Sequence, residues 1–174
     1  MKELSLHILD VAENGISAGA DRLEITIEED RAGNRLVIVI KDNGRGIPPD
    51  ILAGITDPFY TTRTTRRVGL GLSLLESAAR RCGGLMTIDS APEKGTWVTA
   101  TFAHDHIDRA PLGDMGATLI SLIAGNPDVD FIYRHIAGDR DFSIDTGEIR
   151  KAFDNKPVTD PEVFRYLMDI IGNI

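Results

Sequence analysis

The chain has 174 residues, 42% hydrophobic and 26% charged, which is typical of a folded globular protein and excludes a disordered chain. Its net charge of −8 argues against non-specific nucleic-acid binding, and no apolar run approaches the ~20 residues that a membrane span needs. The N-terminal segment lacks the pattern of a signal peptide and the single cysteine excludes an internal disulfide, so we expect a cytoplasmic protein.

The first elements are a helix and a hairpin. Residues 2–18 show the spacing of an amphipathic helix, with Gly19 as its expected end. The segment that begins at Leu23 alternates apolar and polar residues, which predicts a strand with one wet face. The segment that begins at Arg35 is almost continuously apolar, which predicts a central strand. The turn-forming sequence DRAGN joins the two strands into a hairpin.

A second helix and hairpin follow. A short helix is predicted from Pro49 to Ala53 and a longer one over residues 72–82, which Gly83 and Gly84 end. The segments LMTIDS and TWVTATFA predict two strands around the turn APEKG. The order helix, hairpin, loop, helix, hairpin favours an α/β two-layer sandwich over a doubly wound parallel sheet.

The C-terminal residues predict a small block that is too short for an independent core, so we expect it to pack on the first domain or on a partner. After a linker-like segment we expect a helix at about 112–124, strands VDFIYRHI and DFSID, and short helices near 147–153 and 160–171. We therefore expect one domain at residues 1–104 and a small α+β extension at 105–174. The extension carries 13 acidic and 7 basic residues. Solubility is the simpler interpretation of that acidity, and a docking surface for a basic or metal-bearing partner is the alternative.

The linker-like segment contains alternating His104, His106 and Asp108. On a strand these side chains would face one way, so a metal site is one interpretation. A solvent-exposed linker is the preferred one. His7, one turn before Asp10 on the first helix, is expected on the helix surface.

The first candidate site residues lie on one side of the first helix. Asp10 and Asn14 are one turn apart. An amide oxygen can ligate Mg²⁺, and a carboxylate can orient or deprotonate a water. Taken alone, a solvated helix face is the simpler explanation of this pattern.

Three further segments carry polar or glycine residues at telling positions. Asp42 ends the apolar strand and precedes Gly44 and Gly46. Its carboxylate only accepts hydrogen bonds, so it would suit the amino group of a nucleotide base. The two glycines would allow the flat base to approach the backbone. Gly69 and Gly71 precede a helix start, which with nearby Arg63 is typical of an anion site, although there is no P-loop. Thr96 begins a strand after a glycine turn, where its hydroxyl could reach a base directly or through water; alone, it is an ordinary strand residue.

These segments, in this order, resemble the GHKL ATPase superfamily, which includes type II topoisomerases, a heat-shock chaperone family, histidine kinases and mismatch-repair ATPases. DVAENGISAGADRLEITI and IKDNGRGIPPD are similar to the mismatch-repair ATPases, and PFYTTRTTRRVGLGLS through KGTWVTATF to the histidine kinases. The resemblance covers residues 1–103. It implies the Bergerat fold, a mixed, mostly antiparallel sheet covered by helices on one face.

The resemblance also implies roles for individual residues. Asn14 matches the Mg²⁺ ligand and Asp42 the adenine-specifying aspartate, and Asp10 stands where hydrolysing members usually have glutamate. Histidine kinases need no base at that position. The implied ATP-binding set is Asn14, Asp42, Gly44, Gly46, Ile47, Thr61, Thr62, Arg63, Gly69, Leu70, Gly71, Leu72 and Thr96.

The function expected from this resemblance is binding of ATP with Mg²⁺, followed by slow hydrolysis or by phosphate transfer to a protein in trans, with Asp10 as the catalytic carboxylate. The alternative is a non-catalytic module in which ATP orders residues 56–71, and this segment with the acidic C-terminal region recruits a partner protein. No nucleic-acid or membrane partner is expected. Residues 107–135 also resemble the tail of small stand-alone ATP-binding proteins associated with iron-hydrogenase gene clusters of anaerobic bacteria.

Overall fold

The structure is a computed structural model that describes residues 3–55 and 70–172. Its elements lie close to the predicted ones. In chain order they are α1 (Leu4–Ser17), β1 (Arg22–Asp30), β2 (Arg35–Asp42), α2 (Pro49–Leu52), α3 (Leu70–Arg81), β3 (Met86–Ser90), β4 (Thr96–Ala103), α4 (Met115–Gly125), β5 (Asp130–Ala137), β6 (Arg140–Asp145), α5 (Thr146–Ala152) and α6 (Pro161–Ile171). None of the helices in these two ranges is both long and apolar enough to cross a bilayer.

The strands form one six-stranded sheet in the order β3-β4-β2-β1-β5-β6. The pairs β1–β2, β2–β4, β3–β4 and β5–β6 are antiparallel, and β1–β5 is parallel. The predicted mixed, mostly antiparallel sheet is therefore confirmed. The continuously apolar β2 lies between β4 and β1, as its sequence predicts.

Alternation along the strands places the core on one face of the sheet. Leu23, Ile25 and Ile27 of β1 are almost fully buried, whereas Glu24 and Thr26 between them are half-buried. Helices α1 and α3 pack on the buried face, α4 packs beside α1, and α6 packs beside α4. This arrangement confirms the predicted two-layer sandwich.

The C-terminal residues join the same sheet and the same helix layer. Strand β5 pairs with β1 along its whole length, from Arg22 opposite Asp130 to Glu29 opposite Ala137. The first N–H groups of a helix have no partner within the helix. In α1, Leu4 N–H donates to the Pro111 carbonyl oxygen at 2.9 Å and Ser5 N–H to that of Leu112 at 2.8 Å. The C-terminal region therefore caps the helix that carries Asp10 and Asn14.

The C-terminal helices begin at aspartate caps. The Asp114 side chain accepts a hydrogen bond from Ala117 N–H at 2.8 Å, which fixes the start of α4 at Met115. The predicted start near residue 112 was too early, because the carbonyl groups of residues 111 and 112 accept hydrogen bonds from the first N–H groups of α1. Asp145 and Asp160 cap α5 and α6 in the same way.

Candidate functional site

Asp10 and Asn14 lie on α1 where α3 begins. Both are half-buried, and a Cβ atom placed on Gly71 would lie 3.1 Å from the Asp10 Cβ and 3.7 Å from the Asn14 Nδ2. The backbone of the first turn of α3 therefore approaches both side chains. Because the first N–H groups of a helix lack partners within it, an amide, a carboxylate and an electropositive helix start meet at this point.

Asp42 ends β2 with a buried carboxylate, whose residue is only 9% exposed. Its Oδ1 accepts a hydrogen bond from Gly44 N–H at 2.9 Å, and the Thr96 backbone N–H donates to the same carboxylate. Burial raises the pKa of Asp42 above its ordinary value, and these two hydrogen bonds only partly oppose that effect. An acceptor that is poorly solvated in this way favours a ligand that donates hydrogen bonds.

Helix α1 can pack this closely against the Asp42 side chain only because residue 15 is glycine. A Cβ atom on Gly15 would lie 2.8 Å from the Asp42 Cβ and 3.0 Å from its Oδ2, too close for a side chain to fit without a shift. Sequence reasoning did not single out Gly15. The available signal was a glycine in the interior of a helix, where it lowers helix stability and therefore suggests a packing reason.

The loop after Asp42 is held against two other elements. Arg45 N–H donates to the Ala18 carbonyl oxygen at 3.0 Å, at the end of α1. Gly46 has φ +70°, and a Cβ atom there would lie 1.9 Å from the Ala91 carbonyl oxygen in the β3–β4 turn. Only glycine fits this position without a backbone change.

Ser90 organises the wall beside Thr96, and sequence reasoning missed it. Its Oγ accepts from Ile47 N–H at 2.9 Å, donates to the Gly95 carbonyl oxygen at 2.7 Å, and lies 3.2 Å from the Thr96 Oγ1. The signal was the hairpin register, which pairs Ser90 with Thr96.

The hydrogen bonds of Ser90 determine whether the Thr96 hydroxyl acts as donor or acceptor. The single proton of Ser90 goes to a carbonyl oxygen, so Thr96 is the donor in the contact between the two hydroxyls. The Thr96 oxygen then has only lone pairs left to offer. Because Thr96 pairs directly with Asp42 in the sheet, two hydrogen-bond acceptors stand side by side at this end of the strands.

His7 is not on the helix surface, so that expectation was wrong. It is 3% exposed, and its Nδ1 has no hydrogen-bond partner among the described residues. Burial is the largest influence on the pKa of His7 and lowers it, which favours the neutral ring. A neutral imidazole therefore lies one turn before Asp10.

His104 is not in an exposed linker. Its Nε2 lies 2.8 Å from the Glu29 Oε2, and the Nε2 of His135 lies 2.8 Å from the other oxygen of the same carboxylate. Sequence reasoning could not find this cluster because its members are far apart along the chain. Among the residues that the structure describes, no group of three or more histidine, cysteine, aspartate or glutamate side chains is arranged to hold a metal ion.

The remaining predicted site residues fall into two groups. Leu70 begins α3, and the side chain of Leu72 is buried in the core. Thr61, Thr62, Arg63 and Gly69 lie outside the described residues. The structure therefore brings the predicted residues together in two groups. The first group is Asp10, Asn14 and Gly71. The second group is Asp42, Gly44, Gly46, Ile47 and Thr96, and Gly15 lies between Asn14 and Asp42.

Comparisons with known proteins agree with this geometry. Residues 2–106 match the family described as histidine kinase-, DNA gyrase B- and HSP90-like ATPase. Among curated proteins, the chain is 32% identical over 108 residues to the signal transduction histidine-protein kinase AfsQ2 of Streptomyces coelicolor, covering 60% of this chain and 20% of that protein. It is 35% identical over 108 residues to the sensor histidine kinase YxdK of Bacillus subtilis, covering 58% of this chain and 33% of that protein.

Two solved structures show the same fold at low sequence identity. The N-terminal domain of a DNA repair protein is 19% identical with a TM-score of 0.55, covering 83% of this chain and 52% of that one. The Aquifex aeolicus MutL ATPase domain complexed with ADP is 15% identical with a TM-score of 0.54, covering 90% and 70%. The α/β sandwich with its mixed six-stranded sheet is thus the Bergerat fold, and the matched domain supports ATP binding. The chain belongs to the histidine kinase-, DNA gyrase B- and HSP90-like ATPase family.

Proposed function

We propose that the chain binds ATP with its adenine amino group against Asp42 and Thr96. The observation that carries this proposal is the pair of acceptors, a buried carboxylate and a hydroxyl whose proton is already used by Ser90. An adenine amino group donates hydrogen bonds, whereas guanine carries a carbonyl in that place, which two acceptors would repel. Gly44 and Gly46 let the loop beside these acceptors pack closely against Ala18 and Ala91, so their absent side chains serve the position of the loop.

We propose that the phosphates lie between α1 and the start of α3. The N-terminal end of α3, where the helix dipole is positive, would bind phosphate oxygens near Gly71. Asn14 offers an amide oxygen that can ligate Mg²⁺, and Asp10 offers a carboxylate in the same small region that can hold a water. When bound, the ion would neutralise phosphate charge, with Asn14 as its protein ligand.

The proposed reaction is slow hydrolysis of ATP or transfer of its γ-phosphate to a protein in trans. Asp10 would orient or deprotonate the attacking group. Its carboxylate is one methylene shorter than the glutamate expected of the hydrolysing relatives, and a misplacement of about 1 Å can reduce a rate ~100-fold. We therefore expect hydrolysis, where it occurs, to be slow.

The same short side chain favours a second candidate function, an ATP-gated binding module without turnover. In that case nucleotide binding would, with the acidic C-terminal region, change the affinity for a partner protein. Most of the segment expected to take part, residues 56–71, lies outside the described residues. The connection between α1 and the C-terminal residues supports this proposal, because Pro111 and Leu112 cap the helix that would bind the metal.

Nucleotide binding itself is tested first. Titration calorimetry with ATP and Mg²⁺ on the purified chain should show saturable binding that Asp42→Ala and Asn14→Ala each abolish. Asp89→Ala is the matched control, because Asp89 is an exposed carboxylate on β3 and should not affect affinity. Retained affinity in both site variants would contradict the proposed site.

Incubation with γ-labelled ATP then separates the two functions. Free phosphate indicates hydrolysis, a labelled protein in cell extract indicates transfer in trans, and unchanged ATP indicates a binding module. The variant Asp10→Asn should remove any turnover and leave ATP affinity nearly unchanged. Turnover equal to that of the wild type would show that Asp10 is not the catalytic carboxylate.

A further inference from the structure

A second concave region lies away from the candidate nucleotide site. It is a partly open cavity of about 840 Å³ between the last residues of β1 and β5, the start of β6, the first turns of α4 and the end of α6. Its size falls within the ~300–1,000 Å³ that is common for small-molecule sites. It is formed mainly by residues after 105, which the proposed nucleotide site does not use.

The inner wall of this cavity is apolar. Leu112, Ile120 and Phe142 line it and are each only half-buried. Met115 and Ile171 also contribute and are almost fully buried in the core beneath. A ligand that covers these partly exposed apolar side chains would gain about 25 cal/mol of binding free energy for each Å² removed from water.

The acidic groups of the cavity are already engaged. Both oxygens of Glu29 lie 2.8 Å from histidine ring nitrogens, one of them in His135, which lines the cavity. Asp114 accepts from Ala117 N–H at the start of α4, where the helix dipole favours a negative charge. Both carboxylates therefore already have hydrogen-bond partners within the protein.

The basic groups are not engaged. Arg31 and Arg140 both line the cavity and are exposed, and their guanidinium groups have no hydrogen-bond or ion-pair partner among the described residues. By contrast, Arg134 on the neighbouring part of β5 forms an ion pair with Asp141. In a chain with 27 acidic and 19 basic residues, two unpaired guanidinium groups at one apolar cavity are available to an anion from outside.

We propose that this cavity binds a small amphipathic anion, whose apolar body contacts Leu112, Ile120 and Phe142 and whose acidic group pairs with Arg31 and Arg140. The ligand class is an organic acid with an aromatic or aliphatic body and one carboxylate, sulfonate or phosphate group. The guanidinium group is suited to such groups because it can donate two parallel hydrogen bonds. The site is independent of the proposed nucleotide site, so failure of either proposal leaves the other intact.

The probe that tests this proposal is 8-anilinonaphthalene-1-sulfonate, which joins an apolar ring system to one anionic group and fluoresces when bound. We expect saturable binding to the folded full chain, in the presence of ATP and Mg²⁺ to keep the nucleotide site filled. The neutral analogue N-phenyl-1-naphthylamine, which lacks the sulfonate, should bind at least about tenfold more weakly. Equal affinity for both compounds would overturn the assignment of the arginines.

Two variants locate the probe. The double variant Arg31→Ala, Arg140→Ala should weaken binding at least about tenfold, because each guanidinium contributes a hydrogen bond to a charged group. Arg165→Ala is the control, since Arg165 is exposed on α6 and does not line the cavity. Ala117→Trp should fill the cavity and abolish binding; Ala117 is exposed, so the fold should tolerate the change.

The outcomes decide the proposal. Loss of binding in both the arginine variant and Ala117→Trp, with circular dichroism unchanged, supports the site. Unchanged binding in the arginine variant overturns it, even if Ala117→Trp fails to fold. Absence of saturable binding to the wild type also overturns it.

Discussion

Replacing Asp42 by asparagine changes one atom of the candidate adenine site with little change in shape. The Oδ1 that accepts from Gly44 N–H at 2.9 Å can be kept, while the other oxygen becomes an NH₂ group. That group would face the amino group of adenine donor to donor. The loss of a hydrogen bond to a charged acceptor is about 1.5–3 kcal/mol, so the affinity for ATP should fall roughly 10- to 150-fold.

The same change should make the nucleotide-free protein more stable at neutral pH. Burial raises the pKa of Asp42, so the penalty on the folded state begins as pH rises above the ordinary aspartate value and is complete above the raised pKa. Asparagine carries no such charge. The gain in the free energy of unfolding should therefore be present at pH 7.5 and vanish near pH 3, below the ordinary aspartate value of about 3.9.

Two measurements test these expectations. Calorimetric titration should show weaker ATP binding and a smaller preference for ATP over GTP, since an amide NH₂ can donate to the guanine carbonyl. Urea unfolding of the nucleotide-free protein should show the pH-dependent gain, and Asp89→Asn on exposed β3 should show neither effect. Wild-type ATP affinity together with unchanged stability would refute the proposed role of Asp42.

Three further changes are expected to have distinct effects. Burial alone would raise the pKa of Glu29, but its hydrogen bonds with His104 and His135 outweigh burial and lower the pKa. The ionised Glu29 therefore stabilises the folded protein at neutral pH, and this stabilisation is lost in acid. Glu29→Ala should lower the free energy of unfolding by about 2–3 kcal/mol at pH 7, and by less below pH ~4, in urea denaturation. Gly46→Ala should reduce ATP affinity in calorimetry, because its Cβ would lie 1.9 Å from a carbonyl oxygen; unchanged affinity would mean that the loop adapts. Ser90→Ala should weaken ATP binding several-fold by freeing the Thr96 proton, while Ser143→Ala on exposed β6 should not.

The local elements were predictable because their signals are local. The alternation from Leu23 and the apolar run from Arg35 predicted β1 and the central β2, and the spacing of residues 2–18 predicted α1. Asp42 at the end of a buried strand and the glycines after it indicated a ligand site before any contact was visible. Each of these inferences depends on residues within one turn or one strand of each other.

The long-range features were not predictable in this way. The parallel pairing of β1 with β5 joins residues that are about a hundred positions apart, and strand sequences do not specify their neighbours. The carboxylate of Glu29 between His104 and His135 depends on that pairing. Gly15 and Ser90 act through close approaches that exist only once α1 and the β3–β4 hairpin are in place.

The position of β1 also has a consequence for biosynthesis. This strand leaves the ribosome about a hundred residues before its parallel partner β5. Until residues 130–137 have been made, β1 is an edge strand with one row of backbone N–H and C=O groups unpaired, which favours aggregation. Closing so long a loop is slow, so β1 is protected only some time after β5 has been made.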